Sequence, residues 1–432
     1  VPKWYADAKI GVFVHWGIYS VPAWGTPLEP GAHTPVELEF VHHPYAEWYA
    51  NTVRIPSSPT RRFHESTYGV GTSYEDLADR WTTERFDPDA WMSLFAECGA
   101  RYVVPTAKHH DGFCLWDSAT TPFTAARRGP RRDLMAELSG AARRRGLRFG
   151  VYYSGALDWH AGTFPPIRSL TDLFELRRND RAFADYAHAQ LTELIERFRP
   201  DYLWNDIDWP DSGKGRGQKD LAALFTHYLE HVPDGLVNDR WGVPCFTVPT
   251  REYVSEERRS ERVWEACRGL GQSFGHNAVE DDRHLISGTE LVHLLVDTVA
   301  KNGNLLLNVG PRADGSLPEN QVERLHALRR WLAVNTAAIH GTRPWRRHAE
   351  PAGHPVRYTT AGGTLFVTDL DPGAGGTPLP ADITALAAGR PAAWLTPGGH
   401  APATIDRDGR APVPESLHDS EAAVLAIESG AG

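Results

Sequence analysis

The chain has 432 residues, 41% of them hydrophobic, with 15 Trp and a formal net charge of -10. That much apolar surface supports one large domain and a smaller second one. The acidic balance argues against nucleic acid or an anionic membrane surface as a partner, since both select a basic face.

In chain order, short apolar runs rich in Val, Tyr and Leu alternate with longer segments of helical period, the pattern of a parallel sheet with crossover helices. Strands are predicted at IGVFVHWG (Ile10 to Gly17), ARYVVPTAKHHDG (Ala100 to Gly112), LRFGVYYSG (Leu147 to Gly155), DYLWND (Asp201 to Asp206), LVNDRW (Leu236 to Trp241), RVWEAC (Arg262 to Cys267) and GNLLLNVGP (Gly303 to Pro311). Between them, DLMAELSGAARRRG closes on Gly146, FADYAHAQLTELIERFRP stops at Pro200, and GTELVHLLVDTVAKNG feeds the last strand. The tract SGKGRGQK lacks the order of a phosphate loop and reads as a surface loop. After His340 to Trp345 the texture changes to short alternating runs such as VRYTT and TLFVTDL between Gly-Pro turns, which predicts antiparallel strands packed on the larger domain. The expected organisation is an irregular (β/α)8-like barrel over residues 1–345, with an irregular or missing element between Cys267 and Ser287, then a small antiparallel β domain over 346–432.

Cys98, Cys114, Cys245 and Cys267 show no C-x-x-C spacing and lie in apolar patterns, so buried free thiols are expected rather than a metal site or disulfides. No apolar run approaches the roughly 18 residues of a membrane span. Val1 is not an initiator Met, which leaves the compartment open between cytoplasm and secretion after removal of a signal peptide. The excess of Arg over Lys is the usage of a GC-rich bacterial genome.

Polar residues gather at predicted strand C-termini: His15, His109, His110, Tyr153, Asp206, Arg240, Glu265 and Asn308. In a barrel those ends converge on one mouth, where active sites are built. Asp206 and Glu265 then supply the two carboxylates that glycoside hydrolysis needs. Asp206 follows a hydrogen-bonding Asn205 and suits a nucleophile; Glu265 follows Trp264 in an apolar strand, where desolvation raises a carboxyl pKa, and suits the proton donor. The KHHDG segment offers metal ligands, but adjacent residues point opposite ways on a strand and no H-x-H or H-E-x-x-H spacing accompanies it, so binding of sugar hydroxyls by the paired imidazoles is preferred. Taken singly, His15 also fits a satisfied core histidine, Arg240 a partner of Asp239, and Glu47 an exposed helix charge.

The segments GVFVHWGIYSVPAW, YAEWY, YVVPTAKHHDGFCLWDS, RGPRRDL, GVYYSGALDW, LWNDIDWP, VNDRWG, VWEACRGLGQSFGHN and NGNLLLNVGPRADG together resemble the α-L-fucosidases of glycoside hydrolase family 29, in the family's order from about Trp4 to Trp345. The resemblance implies a retaining exo-hydrolase without metal or cofactor that removes terminal α-linked L-fucose from oligosaccharides or glycoconjugates through a covalent fucosyl-enzyme. It also implies an irregular barrel followed by a β-sandwich. Matched residue by residue, Asp206 in WND corresponds to the nucleophile and Glu265 in VWEACRG to the acid/base, with Glu47 a competing carboxylate. His15, His109, His110, Tyr153, Trp204 and Arg240 correspond to the lining of the fucose pocket, and Glu47 with Trp48 to an EW pair in the loop after the first strand. Asp208 departs from the resemblance, standing where a relative has Gly, and is expected to be a rim or hydrogen-bonding residue rather than a catalyst. Hydrolysis of α-L-galactosides, which differ by one hydroxyl, and silent sugar binding are the alternatives; the linkage cleaved and the oligomeric state are left open.

Overall fold

A strand covered on both faces reads as an unbroken apolar run, and Ile10–Val14 (IGVFV) is one, with all five residues buried. It is β1 of the computed structural model, which describes residues 1–162, 164–350 and 355–429. The further strands β2 (Tyr102–Lys108), β3 (Arg148–Ser154), β4 (Tyr202–Asp206), β5 (Leu236–Val237), β6 (Thr250–Glu252), β7 (Trp264–Gly269) and β8 (Gly303–Val309) join it in one parallel sheet of order β5-β4-β3-β2-β1-β8-β7-β6. The sheet curls until its edges meet. Val237 O accepts from Thr247 N (2.9 Å) and Val248 N (3.2 Å), and a parallel bridge links Asn238 to Val248. The result is an irregular (β/α)8-like barrel.

The helices start and stop for local reasons. Asp133 accepts from Ala136 N at the head of Leu134–Arg144, and Gly146, with φ 70°, turns the chain after it. Asp180 caps Arg181–Phe198, which ends on a left-handed Arg199 before Pro200. Ser287 and Glu290 form a capping box at the head of Gly288–Ala300.

Two differences from the sequence expectation bear on the site. The seven expected strands are present, but the eighth is β6, three residues long and upstream of Trp264; the segment between Cys267 and Ser287 is a long irregular loop instead. No helix separates β5 from β6 or β6 from β7. Also, β7 runs from Trp264 to Gly269, so Glu265 is its second residue rather than the third from its end. Of the cysteines, Cys98, Cys114 and Cys267 are buried, whereas Cys245 is exposed on the β5–β6 connection. A connection of that kind has no core to bury a thiol.

From Arg343 onward an antiparallel sheet of six strands is built from Arg343–Ala349, Val356–Ala361, Thr364–Asp369, Ala392–Thr396, Gly399–Pro402 and Ala423–Glu428, beside the short pair Thr377–Pro378 and Arg410–Ala411. Its own core centres on Val356, Tyr358, Val367, Trp394 and Leu425. Residues 351–354 and 430–432 of the expected 346–432 domain lie outside the described residues. The sheet docks on the barrel's helices: Trp331 Nε1 donates to Ala422 O (2.9 Å) and Arg357 Nε to Asp297 Oδ1 (2.6 Å). No helix among the described residues is long and apolar enough to cross a membrane.

Candidate active site

β4 ends on Asp206, and its parallel register with β3 sets Tyr152 beside Trp204 and Ser154 beside Asp206. Side chains two apart share a face, so Trp204 and Asp206 both turn into the barrel. Asp206 Oδ2 accepts from Tyr152 Oη (2.9 Å) and Oδ1 from Arg240 Nη1 (3.0 Å). Burial alone would raise the Asp206 carboxyl, but the Arg240 guanidinium and these two bonds hold it below the usual carboxylate range. His110 Nε2 is 3.7 Å from Oδ2. Its own burial pushes it down to about 4, so at neutral pH it is uncharged and Arg240 supplies the positive field.

The second carboxylate at this mouth is Glu252, the last residue of β6. Its Oε2 accepts from the same Arg240 Nη1 at 2.9 Å. Arg240 is aimed by Nε, which donates to Thr250 Oγ1 (3.1 Å); it does not pair with Asp239, which instead accepts from Thr250. A cavity of about 420 Å³ opens above, lined among others by Trp48, His110, Asp206, Ile207, Arg240 and Glu252.

Aromatic rings floor the site. Trp204 stacks on Tyr152 with centroids 5.5 Å apart, Arg240 lies 4.7 Å above the Trp204 ring, and His109 stacks on the other side of Tyr152 at 5.4 Å. Asn308 donates to Phe274 O (2.6 Å), so its Oδ1 is the acceptor that meets His15 Nδ1 at 2.7 Å. His15 therefore carries its proton on Nδ1 and presents Nε2 as an acceptor. Ser154 Oγ donates to Leu157 O (2.7 Å), and by the same logic His110 Nδ1 donates to Ser154 and Nε2 is left as an acceptor. His109 Nδ1 is buried with no partner among the described residues. Uncharged imidazoles with free nitrogens suit sugar hydroxyls.

The structure thus brings together His15, Trp48, His109, His110, Trp204, Asp206 and Arg240, and places three other expected residues elsewhere. Glu265 is not at the mouth. In the parallel register Thr250 pairs with Glu265 and Glu252 with Cys267, so Glu265 lies two residues deeper than Glu252. It is fully buried and accepts from Tyr5 (2.7 Å), Tyr102 (2.8 Å), Trp204 (2.9 Å) and Tyr202 (3.1 Å). Burial pushes its carboxyl up against the pull of these donors. Tyr153 points to the opposite face from Tyr152, where its Oη donates to Gln190 and accepts from Lys108 Nζ (3.1 Å). Glu47 is 2% exposed in the turn Ala46–Trp48 and accepts from Gly275 N (2.8 Å), Ser273 Oγ (3.1 Å) and Phe274 N (3.3 Å). Burial raises it to about 7, and its bonds fix the loop that carries Phe274. Asp208, left-handed at φ 69°, pairs with Arg177 and with Lys214 (2.9 Å) and ties the loops together below the rim.

Glu252, Tyr152 and Phe274 escaped the sequence reading. A three-residue strand has no period to detect, and choosing between Tyr152 and Tyr153 needs the face of β3 that lines the barrel.

Comparison with known proteins points one way. A family model described as Alpha-L-fucosidase matches residues 1–337. The tissue α-L-fucosidase of Rattus norvegicus is 35% identical over 86% of this chain and 76% of its own, and the α-L-fucosidase of Dictyostelium discoideum 34% identical over 80% and 73%. Among solved structures, the Thermotoga maritima α-fucosidase is 44% identical with a TM-score of 0.87, covering 99% of this chain and 97% of that one. A Thermotoga maritima α-L-fucosynthase, carrying an Asp-to-Gly exchange and complexed with a fucosyl-fucosyl azide, is 43% identical with a TM-score of 0.89 over 99% and 96%.

Proposed function

For a chain that belongs to the α-L-fucosidase family, and so is a glycoside hydrolase of α-L-fucosides, we propose a retaining mechanism in which Asp206 is the nucleophile and Glu252, in place of Glu265, the acid/base. The observation that carries this reading is the shared guanidinium nitrogen. Bonds of 3.0 and 2.9 Å to Arg240 Nη1 keep one oxygen of each carboxylate within about 6 Å of the other, and the roughly 5–5.5 Å separation of a retaining pair falls inside that bound.

Asp206 attacks the anomeric carbon while Glu252 gives its proton to the departing oxygen, leaving a fucosyl ester on Asp206 and a Glu252 carboxylate. Water then enters; Glu252 takes its proton as the water oxygen attacks the anomeric carbon from the face the leaving group vacated, and the ester bond breaks to free the Asp206 carboxylate, so configuration is retained. Charge leaves Asp206 as its ester forms while Glu252 gives up its proton, and Arg240, bonded to both carboxyl groups, serves each without moving. His15, His109 and His110 accept or donate to ring hydroxyls, and Trp204, Tyr152, Phe13 and Phe274 form an apolar floor suited to a deoxy sugar's methyl group. The substrate is terminal α-linked L-fucose on an oligosaccharide or glycoconjugate.

Following 4-nitrophenyl α-L-fucoside hydrolysis by NMR tests the proposal: α-fucose is the first anomer expected, and initial release of β-fucose would refute it.

A further inference from the structure

We propose that one bank of the cavity mouth, formed by Leu170, Leu173 and Ile207, is a leaving-group subsite that selects an aglycone with an alkyl or aryl face. The inference rests on Asp206 and Glu252 being the catalytic pair, since it places the leaving group beside them.

Ile207 follows Asp206 directly and has φ 52°. A β-branched residue in the left-handed region is a genuine outlier and is kept only where the surroundings over-determine it. They do so here: Gly155 N donates to Asp206 O (3.0 Å), Asp208 N to Arg240 O (3.1 Å), and Asn205 Nδ2 to Asp208 O (2.8 Å). The strained turn directs an apolar side chain into the cavity next to the nucleophile.

Ile207 packs on a small cluster of its own, with Phe40 and Leu173 among its members, separate from the main core. Leu173 belongs to the short helix Leu170–Glu175, in the connection after β3. On that helix Leu170 lines the cavity and is 60% exposed, while Phe174, one turn on, is 53% exposed. Large apolar side chains left in water beside a catalytic cavity mark a binding surface. On the side of the mouth that follows β6 and β7, Glu252 and Gln272 line the cavity instead. The mouth is therefore apolar over β3 and β4 and polar over β6 and β7. Phe40, Tyr45 and Trp48 also line the cavity, but the three side chains of this bank are aliphatic and lack the flat π-face on which a second sugar stacks, so the bank itself fits alkyl or aryl groups.

The test uses n-alkyl α-L-fucosides from methyl to octyl, below their micellar concentrations, because these leaving groups are alike in acidity and differ only in apolar length. In the wild type kcat/KM should rise on the order of tenfold or more from methyl to octyl, as buried methylenes predict for a half-open surface. Leu170→Ser and Ile207→Gly, the latter also compatible with the left-handed backbone, should each cut the octyl-to-methyl ratio severalfold. Leu229→Ser, an exposed leucine on the helix Leu221–His231, should leave the ratio as it is. A flat chain-length series with methyl fucoside still hydrolysed would overturn the subsite, as would a fucosyl disaccharide exceeding the octyl fucoside in kcat/KM. If no α-L-fucoside is hydrolysed, the proposed function itself fails and this inference with it.

Discussion

Arg240 Nη1 is 2.9 Å from Glu252 Oε2, and the same nitrogen is 3.0 Å from Asp206 Oδ1. One guanidinium thus links the ends of β4, next to one edge of the sheet order, and β6, at the other edge.

In the proposed mechanism, replacing Asp206 by Gly removes the atom that forms the covalent intermediate, and kcat should fall at least about a thousandfold. Azide should then restore part of the turnover of an aryl fucoside by entering from the vacated side, giving fucosyl azide of inverted configuration. Activity near wild type without azide would exclude Asp206 as nucleophile.

Glu252→Ala should impair cleavage of natural fucosyl linkages far more than of an activated aryl fucoside, because only a poor leaving group needs a proton. With the aryl substrate azide should give the retained fucosyl azide. Neither Glu265→Gln nor Glu47→Gln should show this split between substrates. Finding it in Glu265→Gln and not in Glu252→Ala would reverse the assignment.

The two tyrosines of β3 separate cleanly. Tyr152→Phe removes a hydrogen bond to an ionised carboxylate, worth about 1.5–3 kcal/mol, and should lower kcat/KM roughly ten- to hundredfold. Tyr153→Phe leaves Asp206 untouched, so its effect should appear in the melting temperature through the lost Gln190 bond and not in kcat/KM.

As the proposed nucleophile Asp206 must be ionised to attack, so kcat/KM should fall as pH drops through its pKa. Since Arg240 holds that pKa below the ordinary range for aspartate, the acid limb of the profile should lie at lower pH than free aspartate titrates. Arg240→Met should move the limb upward in pH as well as lowering the plateau; an unmoved limb would mean that another group sets it.

A final test is remote from the site. Lys9 is fully buried at the start of β1, its Nζ has no hydrogen-bond partner among the described residues, and burial lowers it to about 8. Folding therefore costs stability while the unfolded lysine, near its ordinary value of 10.5, remains protonated. Lys9→Met should raise unfolding stability by about 1–3 kcal/mol at neutral pH. The unfolded state binds more protons between pH 8 and 10.5, so wild type gains stability across that window and its deficit against the variant should shrink. A variant no more stable than wild type at pH 7 would show that Nζ is solvated.

The parallel barrel, the antiparallel sheet after it, the helix ends and the position of Asp206 were all legible in the sequence, because each rests on local chemistry. Apolar runs such as IGVFV mark strands buried on both faces, Gly146 and Pro200 mark helix stops, and Asp206 closes a strand long enough to have a clear end. Glu252, Glu265 and Tyr152 were decided only by the tertiary structure. A strand of three residues carries no periodic signal, an apolar run does not say where along it the barrel mouth lies, and of two adjacent tyrosines either faces inward until the neighbouring strand sets the face. Register against β6 puts Glu265 below Glu252, and burial among three tyrosines and a tryptophan then turns an expected proton donor into part of the barrel's interior.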